Sequence, residues 1–274
     1  MDYIKIAENT AKGVVEVKGS AAEIVAAFRS LKKAKAELHG KVVLSPTDRM
    51  EGLNIRKTNL RDSAAMKRLF QPFTSWVKEP LTFPLYDESR NALVATDGEV
   101  MLFCDIPDGF TSDEAKKDNN FTTDFHRYPN WTIPLGSLER KNTPYDLASL
   151  TKMAEFEKCD DMHNAIAIAA ASAKAYHHVD SKGFAHNLYA WIGEKQYNPM
   201  HLYAVVEGLF RLGCEGIGLF DAGTRWSFDR HPLHVVGFGD GLNARGLVMP
   251  MRFPSTAHGA VEFPINKKAA KVAA

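Results

Sequence analysis

The sequence predicts an α+β protein assembled from units in which one helix is followed by several strands. Three observations carry that prediction. Apolar residues recur at helical spacing in four places. Each of these is followed by short β-branched and aromatic runs, and Gly, Asp, Asn and Pro punctuate those runs at turn-like intervals. The order helix, then strands, repeats four times in units of about 55 to 65 residues.

The first helix is predicted from Ser20 to about Leu38: Ser20 with Glu23 forms a capping box, Ile24, Ala27, Phe28 and Leu31 make one apolar stripe, and Gly40 stops it. KVVLSP and GLNIRKT follow as strand-like sequence. The second helix is predicted from about Asp62 to Trp76, with Met66, Leu69, Phe70 and Phe73 inward and Pro72 as an early breaker. After it come LTFPLYD and NALVATDGEVMLFCDI, in which Asp97-Gly98 between two apolar runs marks a hairpin.

The third helix is predicted after Thr143-Pro144, carrying Leu147, Leu150 and Met153. AIAIAAASAKAYHHV, from residue 165, is ambiguous by pattern and is read as strand, with DSKG at 180–183 as a turn. The fourth helix follows Asn198-Pro199, with Leu202, Val205, Val206, Leu209 and Phe210 on one face and Gly213 as its stop. EGIGLFDAG, TRWSFDR, PLHVVGFG and ARGLVMPMRF then read as strands, the last interrupted by Pro250, which belongs at a sheet edge or a strand end.

Composition narrows the function classes. A chain of 274 residues, 45% hydrophobic, has room for two domains with real cores. Lys and Arg (34) nearly cancel Asp and Glu (33), so any nucleic-acid contact must come from local patterning. Cys104, Cys159 and Cys214 lack paired spacing, which argues against a disulfide framework or zinc module and for a reducing, cytoplasmic setting. The N-terminus has no signal pattern, and the longest small apolar run is too short to cross a bilayer.

Chemistry-bearing motifs are weak. Asp160, Asp161, His163, His177, His178, Asp180 and His186 crowd one region without metal-ligand spacing, leaving a metal-dependent hydrolase as the least favoured reading. The glycine-rich GFGDGLNARG lacks the Lys-Ser/Thr of a P-loop, and no GxSxG occurs. No catalytic residue, metal or cofactor is therefore expected. Basic residues on the predicted helices are the candidates for a phosphate-facing surface: Arg29, Lys32, Lys33 and Lys35 on the first, Lys67 and Arg68 on the second, Lys152 on the third and Arg211 on the fourth. Met249 and Met251 flank Pro250 and can repack around different partners.

Several pieces together resemble the bacterial DNA sliding clamp, the β subunit of the replicative polymerase. VMPMRF (248–253) is similar to the closing strand of that family. AAMKRLF (64–70) followed by LVATDGEVMLFCDIP (93–107) resembles its middle domain, and RYPNWTIP (127–134) resembles the segment that ends that domain. The resemblance implies the DNA-clamp fold: two similar domains, each with two helices packed on antiparallel sheets, here residues 1–134 and 135–253, followed by a tail at 254–274.

It further implies a processivity factor that encircles double-stranded DNA without reading sequence. Two-domain chains of this kind close as homotrimeric rings. Partners would be DNA polymerase and clamp-loader peptides, docking in an apolar pocket that carries over to Thr96, Gly98, Met101, Pro129, Ile133, Met249, Pro250, Met251 and Arg252. Glu99 and Val100 stand where the family typically has a His-Arg pair. The alternative within the same resemblance is a clamp-fold regulator or decoy that binds proteins without encircling DNA.

Overall fold

The computed structural model describes residues 15–17, 20–34, 41–44, 55–132, 151–156, 159–179, 185–192, 195–221, 232–239, 242–251 and 260–262. In chain order the elements are β1 (Val15–Val17), α1 (Ala21–Lys33), β2 (Lys41–Leu44), α2 (Ser63–Phe70), β3 (Leu85–Asp87), β4 (Ala92–Thr96) and β5 (Val100–Asp105). There follow α3 (Ser112–Lys116), β6 (Thr151–Phe156), α4 (Cys159–Tyr176), β7 (His178–Val179), β8 (Ala185–His186), β9 (Tyr189–Ile192) and β10 (Lys195–Tyr197). The last are α5 (Pro199–Arg211), β11 (Gly216–Asp221), β12 (Leu233–Phe238), β13 (Ala244–Val248) and β14 (Ala260–Glu262). The chain is mixed helix and sheet, as its alternating periodicities require.

These elements gather into two compact units that interleave along the chain. Unit 1 takes residues 1–54, 160–203 and 250–266; unit 2 takes 55–159, 204–249 and 267–274. The expected join near residues 134 to 142 lies outside the described residues, and elements on both sides of it, such as β5 and β13, share a sheet.

Unit 1 holds a five-stranded sheet in the order β1-β2-β14-β9-β10. β1 pairs with β2, β2 with β14 and β14 with β9 in parallel; only β9 and β10 are antiparallel. The wholly antiparallel sheet expected for a clamp domain is absent from this unit. β1 and β2 are joined through α1, and a connection that carries the chain back to start a neighbouring strand at the same end produces a parallel pair. α1 begins where predicted: Ser20 Oγ accepts from the Glu23 amide while the Glu23 carboxylate accepts from the Ser20 amide at 2.8 Å. Ile24, Ala27, Phe28 and Leu31 form its buried stripe, with Phe28 edge-on to Tyr176 of α4.

α4 corrects the strand reading of AIAIAAASAKAY. Alanine has the highest helix propensity, and a helix buried on every side needs no polar face, so periodicity does not reveal it. Residues 163–170 are all buried.

Unit 2 is a seven-stranded sheet, antiparallel throughout, ordered β3-β4-β5-β13-β12-β11-β6. α2 caps on Asp62, whose Oδ1 accepts from the Ala64 and Ala65 amides. It ends at Phe70, short of the predicted Trp76, because Pro72 has no amide to continue the ladder and the chain tightens into a 3-10 turn over Gln71–Phe73. GLNIRKT forms no described strand: residues 55–58 are irregular, and Thr58 N–H donates to the Arg211 carbonyl at 2.8 Å. The predicted third helix is also corrected. Residues 141–150 lie outside the described set, and Thr151–Phe156 is β6, so Met153 and Lys152 stand on a strand whose backbone groups pair with β11.

Strand alternation gives this sheet two buried faces. On one lie Leu93, Ala95, Leu102, Cys104, Val235 and Leu219, all buried. Any side chain at Gly208 of α5 would press on Leu102, and one at Gly246 of β13 would overlap Val205. α5 thus seats directly on the two central strands, at close backbone approach. On the other face Leu81, Leu85, Ala92, Val94, Met101, Phe103, Tyr128, Trp131 and Leu247 form one apolar cluster.

Candidate functional site

The turn Asp97-Gly98 joins β4 to β5 as the dipeptide predicts, with Gly98 at φ +96°, a conformation that needs glycine. Asp97 Oδ1 accepts from the Glu99 and Val100 amides at 2.8 and 2.9 Å, and Thr96 Oγ1 accepts from Gly98 N–H while its hydroxyl donates to the Val100 carbonyl. This hairpin tip is rigid and half open to solvent.

Two distant segments are stitched to it. The Tyr128 hydroxyl accepts from Thr96 N–H at 3.3 Å, and the Glu99 carbonyl accepts from Met249 N–H at 2.8 Å. The structure therefore brings Thr96, Gly98, Pro129 and Met249 of the expected pocket to one edge of unit 2, with Pro129 exposed and Met249 half-buried. Met101 is 3% exposed and belongs to the apolar cluster beneath that edge, so it supports the surface without presenting itself to a ligand. Pro250 and Met251 fall in unit 1, where Met251 N–H donates to the Gln196 carbonyl at 2.8 Å and the side chain is 39% exposed. Ile133 and Arg252 lie outside the described residues.

Sequence reasoning missed the anchor of this edge. Asp87, 1% exposed, accepts from Ser89 Oγ and the Arg90 amide on one oxygen, and from Arg90 Nη1 and Trp131 Nε1 on the other, at 3.1 and 3.0 Å. Burial by itself would raise its pKa, but the bonds from Ser89, Trp131 and Arg90 and the Arg90 charge outweigh burial and hold the carboxyl below its usual range. The segment 128–131 is thereby pinned across β3, β4 and β5. The signal was available: in NNFTTDFHRYPNW the aromatics are isolated apolar residues in a polar run, which is how an anchored covering loop reads. Desolvation also raises Tyr128, keeping its hydroxyl protonated.

The basic residues divide between the units. Arg29, Lys32 and Lys33 are exposed on α1 of unit 1; Lys35 lies outside the described residues. In unit 2 Arg68 is exposed, Lys67 is half-buried with Nζ 5.8 Å from the centre of the Phe83 ring, and Arg211 is half-buried at the end of α5. The Lys152 side chain lies outside the described set. Arg56, Lys57 and Arg61, all exposed, adjoin α2 and were not singled out from the sequence because they fall outside any helix.

Among the described residues no three His, Cys, Asp or Glu side chains group to hold a metal ion, and no helix is long and apolar enough to cross a membrane. Of the histidine-rich region, His163 is buried against Tyr203, and His177 Nδ1 is hydrogen-bonded to Asn187 Oδ1. Cys104 and Cys214 are buried thiols, the second pushed up to about 11 by desolvation, so neither is a thiolate at neutral pH. The chain matches no family model, no curated protein and no solved structure.

Proposed function

We propose that the protein is a clamp-type tether: it holds duplex DNA through phosphate contacts that read no sequence, and it receives polymerase and clamp-loader peptides at the hairpin edge of unit 2. One observation carries the reading. Unit 2 contains two runs of like order, α2 followed by β3, β4 and β5, and the greater part of α5 followed by β11, β12 and β13, beside α3 and β6. The halves meet where their last strands pair antiparallel, Leu102 opposite Gly246, so β3-β4-β5 and β11-β12-β13 mirror each other about that line, with β6 added outside β11. Paired helix-plus-strands halves are what the clamp resemblance implies for one domain.

Two further features support it. The segment that runs into and through α2 carries Arg56, Lys57, Arg61, Lys67 and Arg68, all exposed but Lys67, which is half-buried, and suited to phosphates. The edge formed by Thr96, Gly98 and Met249 is rigid, partly apolar and open, as a peptide-receiving surface must be.

A low-magnification particle image tests the ring directly: an annulus with a pore of about 20 Å or more, wide enough for a duplex, is expected. Duplex binding measured from low to high salt should weaken steeply, with a log-log slope near 0.9 per phosphate neutralised. Salt-independent binding, or none, would end the DNA half of the reading.

A second reading is favoured by a specific observation. The sheet of unit 1 is mostly parallel and is not a copy of unit 2, whereas a ring of like domains is built from repeats. On this reading the protein binds partner peptides without encircling DNA. Light scattering separates the two: a trimer at micromolar concentration supports the ring, and a monomer supports the regulator.

A further inference from the structure

Trp76 and Val77 are 95% and 85% exposed, the most exposed large apolar side chains among the described residues. They sit at the tip of a built loop. Its base is closed by Ser75 N–H donating to the Leu81 carbonyl at 2.8 Å, and Leu81 N–H donates to the Lys78 carbonyl at 2.7 Å. Ser75 Oγ accepts from the amides of Val77 and Lys78, so the tip is held in one shape. Phe83, 41% exposed, forms the loop's other aromatic, and the Lys67 ammonium lies over its ring.

A fully solvated indole on a rigid loop has no folding role, since its area is left in water. The charge of the segment it belongs to says what it meets. Residues 55–83 hold Arg56, Lys57, Arg61, Lys67, Arg68 and Lys78 against Asp62 and Glu79 alone, a surplus of four positive charges in a chain whose net charge is +1. An exposed aromatic within a basic segment is the combination that binds single strands: any unpaired base offers a face to stack on, and phosphates follow on either side. A bilayer is the poorer match, because two side chains bury far less apolar surface than the acyl chain that by itself binds membranes only marginally.

We propose that the loop 74–84 is a contact site for single-stranded nucleic acid, in which the Trp76 indole stacks on an unpaired base while Lys78 and Lys67 meet the flanking phosphates. Val77 wedges beside the stacked base. The site does not require ring closure, nor does it use the hairpin edge around Thr96.

Titration of the full chain into fluorescently labelled oligo(dT), read by anisotropy, tests it. Trp76→Ala should weaken binding by about tenfold or more, and Trp76→Phe should restore most of it, because stacking needs a ring and not an indole N–H. Lys78→Ala should weaken binding less and flatten its salt dependence. Binding to a duplex of the same length should be unchanged by Trp76→Ala. The side chain is almost entirely in solvent, so the variant keeps its fold, which a thermal melt checks.

Equal oligo(dT) affinity of Trp76→Ala and the parent chain would overturn the assignment, as would an absence of oligo(dT) binding by the parent. So would a Trp76→Ala defect seen only in sedimentation with phosphatidylserine vesicles. Loss of the ring or of duplex binding, with Trp76-dependent oligo(dT) binding intact, would end the clamp reading and leave this one standing.

Discussion

Unit 1 and unit 2 solve the same problem, burying helices against a sheet, with opposite economies of chain. In unit 2 strands β3 to β5 and β11 to β13 are neighbours in sequence as well as in space, so most of the sheet forms from local turns. In unit 1 the sheet is gathered from residues 15–17, 41–44, 189–197 and 260–262, and three of its four pairings are parallel. Parallel pairing across such separations requires crossovers, and the closure entropy is met before the contacts form. Unit 2 needs distant segments for two of its sheet pairings, β5 with β13 and β6 with β11, and unit 1 for all but β9 with β10 and β1 with β2.

The largest break in that comparison comes from Asp87, which ties a covering segment to the hairpin half of unit 2. Asp87→Ala leaves the indole N–H of Trp131 and the Arg90 guanidinium without their buried acceptor, and should destabilise unit 2 by about 3 kcal/mol. Urea unfolding measures the loss, and hydrogen exchange should locate it in residues 85–131 and leave α1 untouched. The same residue sets an acid limit. Its folded-state pKa is depressed, so its stabilisation is present at neutral pH and is lost as pH falls through the folded value. Asp87→Asn should flatten the acid limb of stability against pH while lowering stability at pH 7.

Gly246→Ala tests how closely α5 seats on β13, the strand of its own half that lies at the seam. A methyl group there meets the branched Val205 side chain of α5, which has little rotamer freedom to retreat. A loss of about 1–3 kcal/mol is expected, typical of an overpacked site. Restoring space with the double variant Gly246→Ala, Val205→Ala should recover part of it. No recovery would mean that α5 is not seated on β13 as described.

In unit 1 a local contribution comes from the capping box of α1. Ser20→Ala removes the side-chain acceptor of the Glu23 amide and should cost about 1 kcal/mol. Glu23 is itself held below its usual range, first by its bond from the Ser20 backbone. The effect should appear as faster exchange in the first turn of α1, with unit 2 unaffected.

What the sequence disclosed follows the same division. Asp97-Gly98, the Ser20 capping box, the start of the second helix near Asp62 and the Leu202 to Phe210 stripe are local features, each decided by residues within a turn or two, and all four stand in the structure. α4 and β6 were misread because their state is decided elsewhere. Residues 163–170 of α4 are all buried, so no polar face betrays the period there, and β6 is a strand because β11 offers it a ladder. The parallel sheet of unit 1 was illegible for the same reason: nothing near Lys41–Leu44 announces a partner at Ala260–Glu262. At the candidate edge, the turn residues Thr96 and Gly98 were readable from motif. Tyr128 and Trp131 show in the sequence only as lone aromatics in a polar run and Asp87 not at all, since their partners stand 32 and 44 residues away.

The smallest expected effect is the most specific to the edge. Tyr128→Phe keeps the ring in its apolar cluster and deletes only the hydroxyl that accepts from Thr96 N–H. One neutral hydrogen bond is worth about 1 kcal/mol or less here, because Thr96 is only half-buried and water can replace the lost partner. The unfolding midpoint should therefore barely move, whereas exchange at the Thr96 amide should rise severalfold. A hairpin released from the 128–131 segment is less preorganised, so a polymerase-derived peptide received at this edge should bind a few times more weakly, with the loss in dissociation rate. If exchange rises and peptide affinity does not change, the tie between Tyr128 and the hairpin is a feature of the fold alone, and the docking surface lies elsewhere on unit 2.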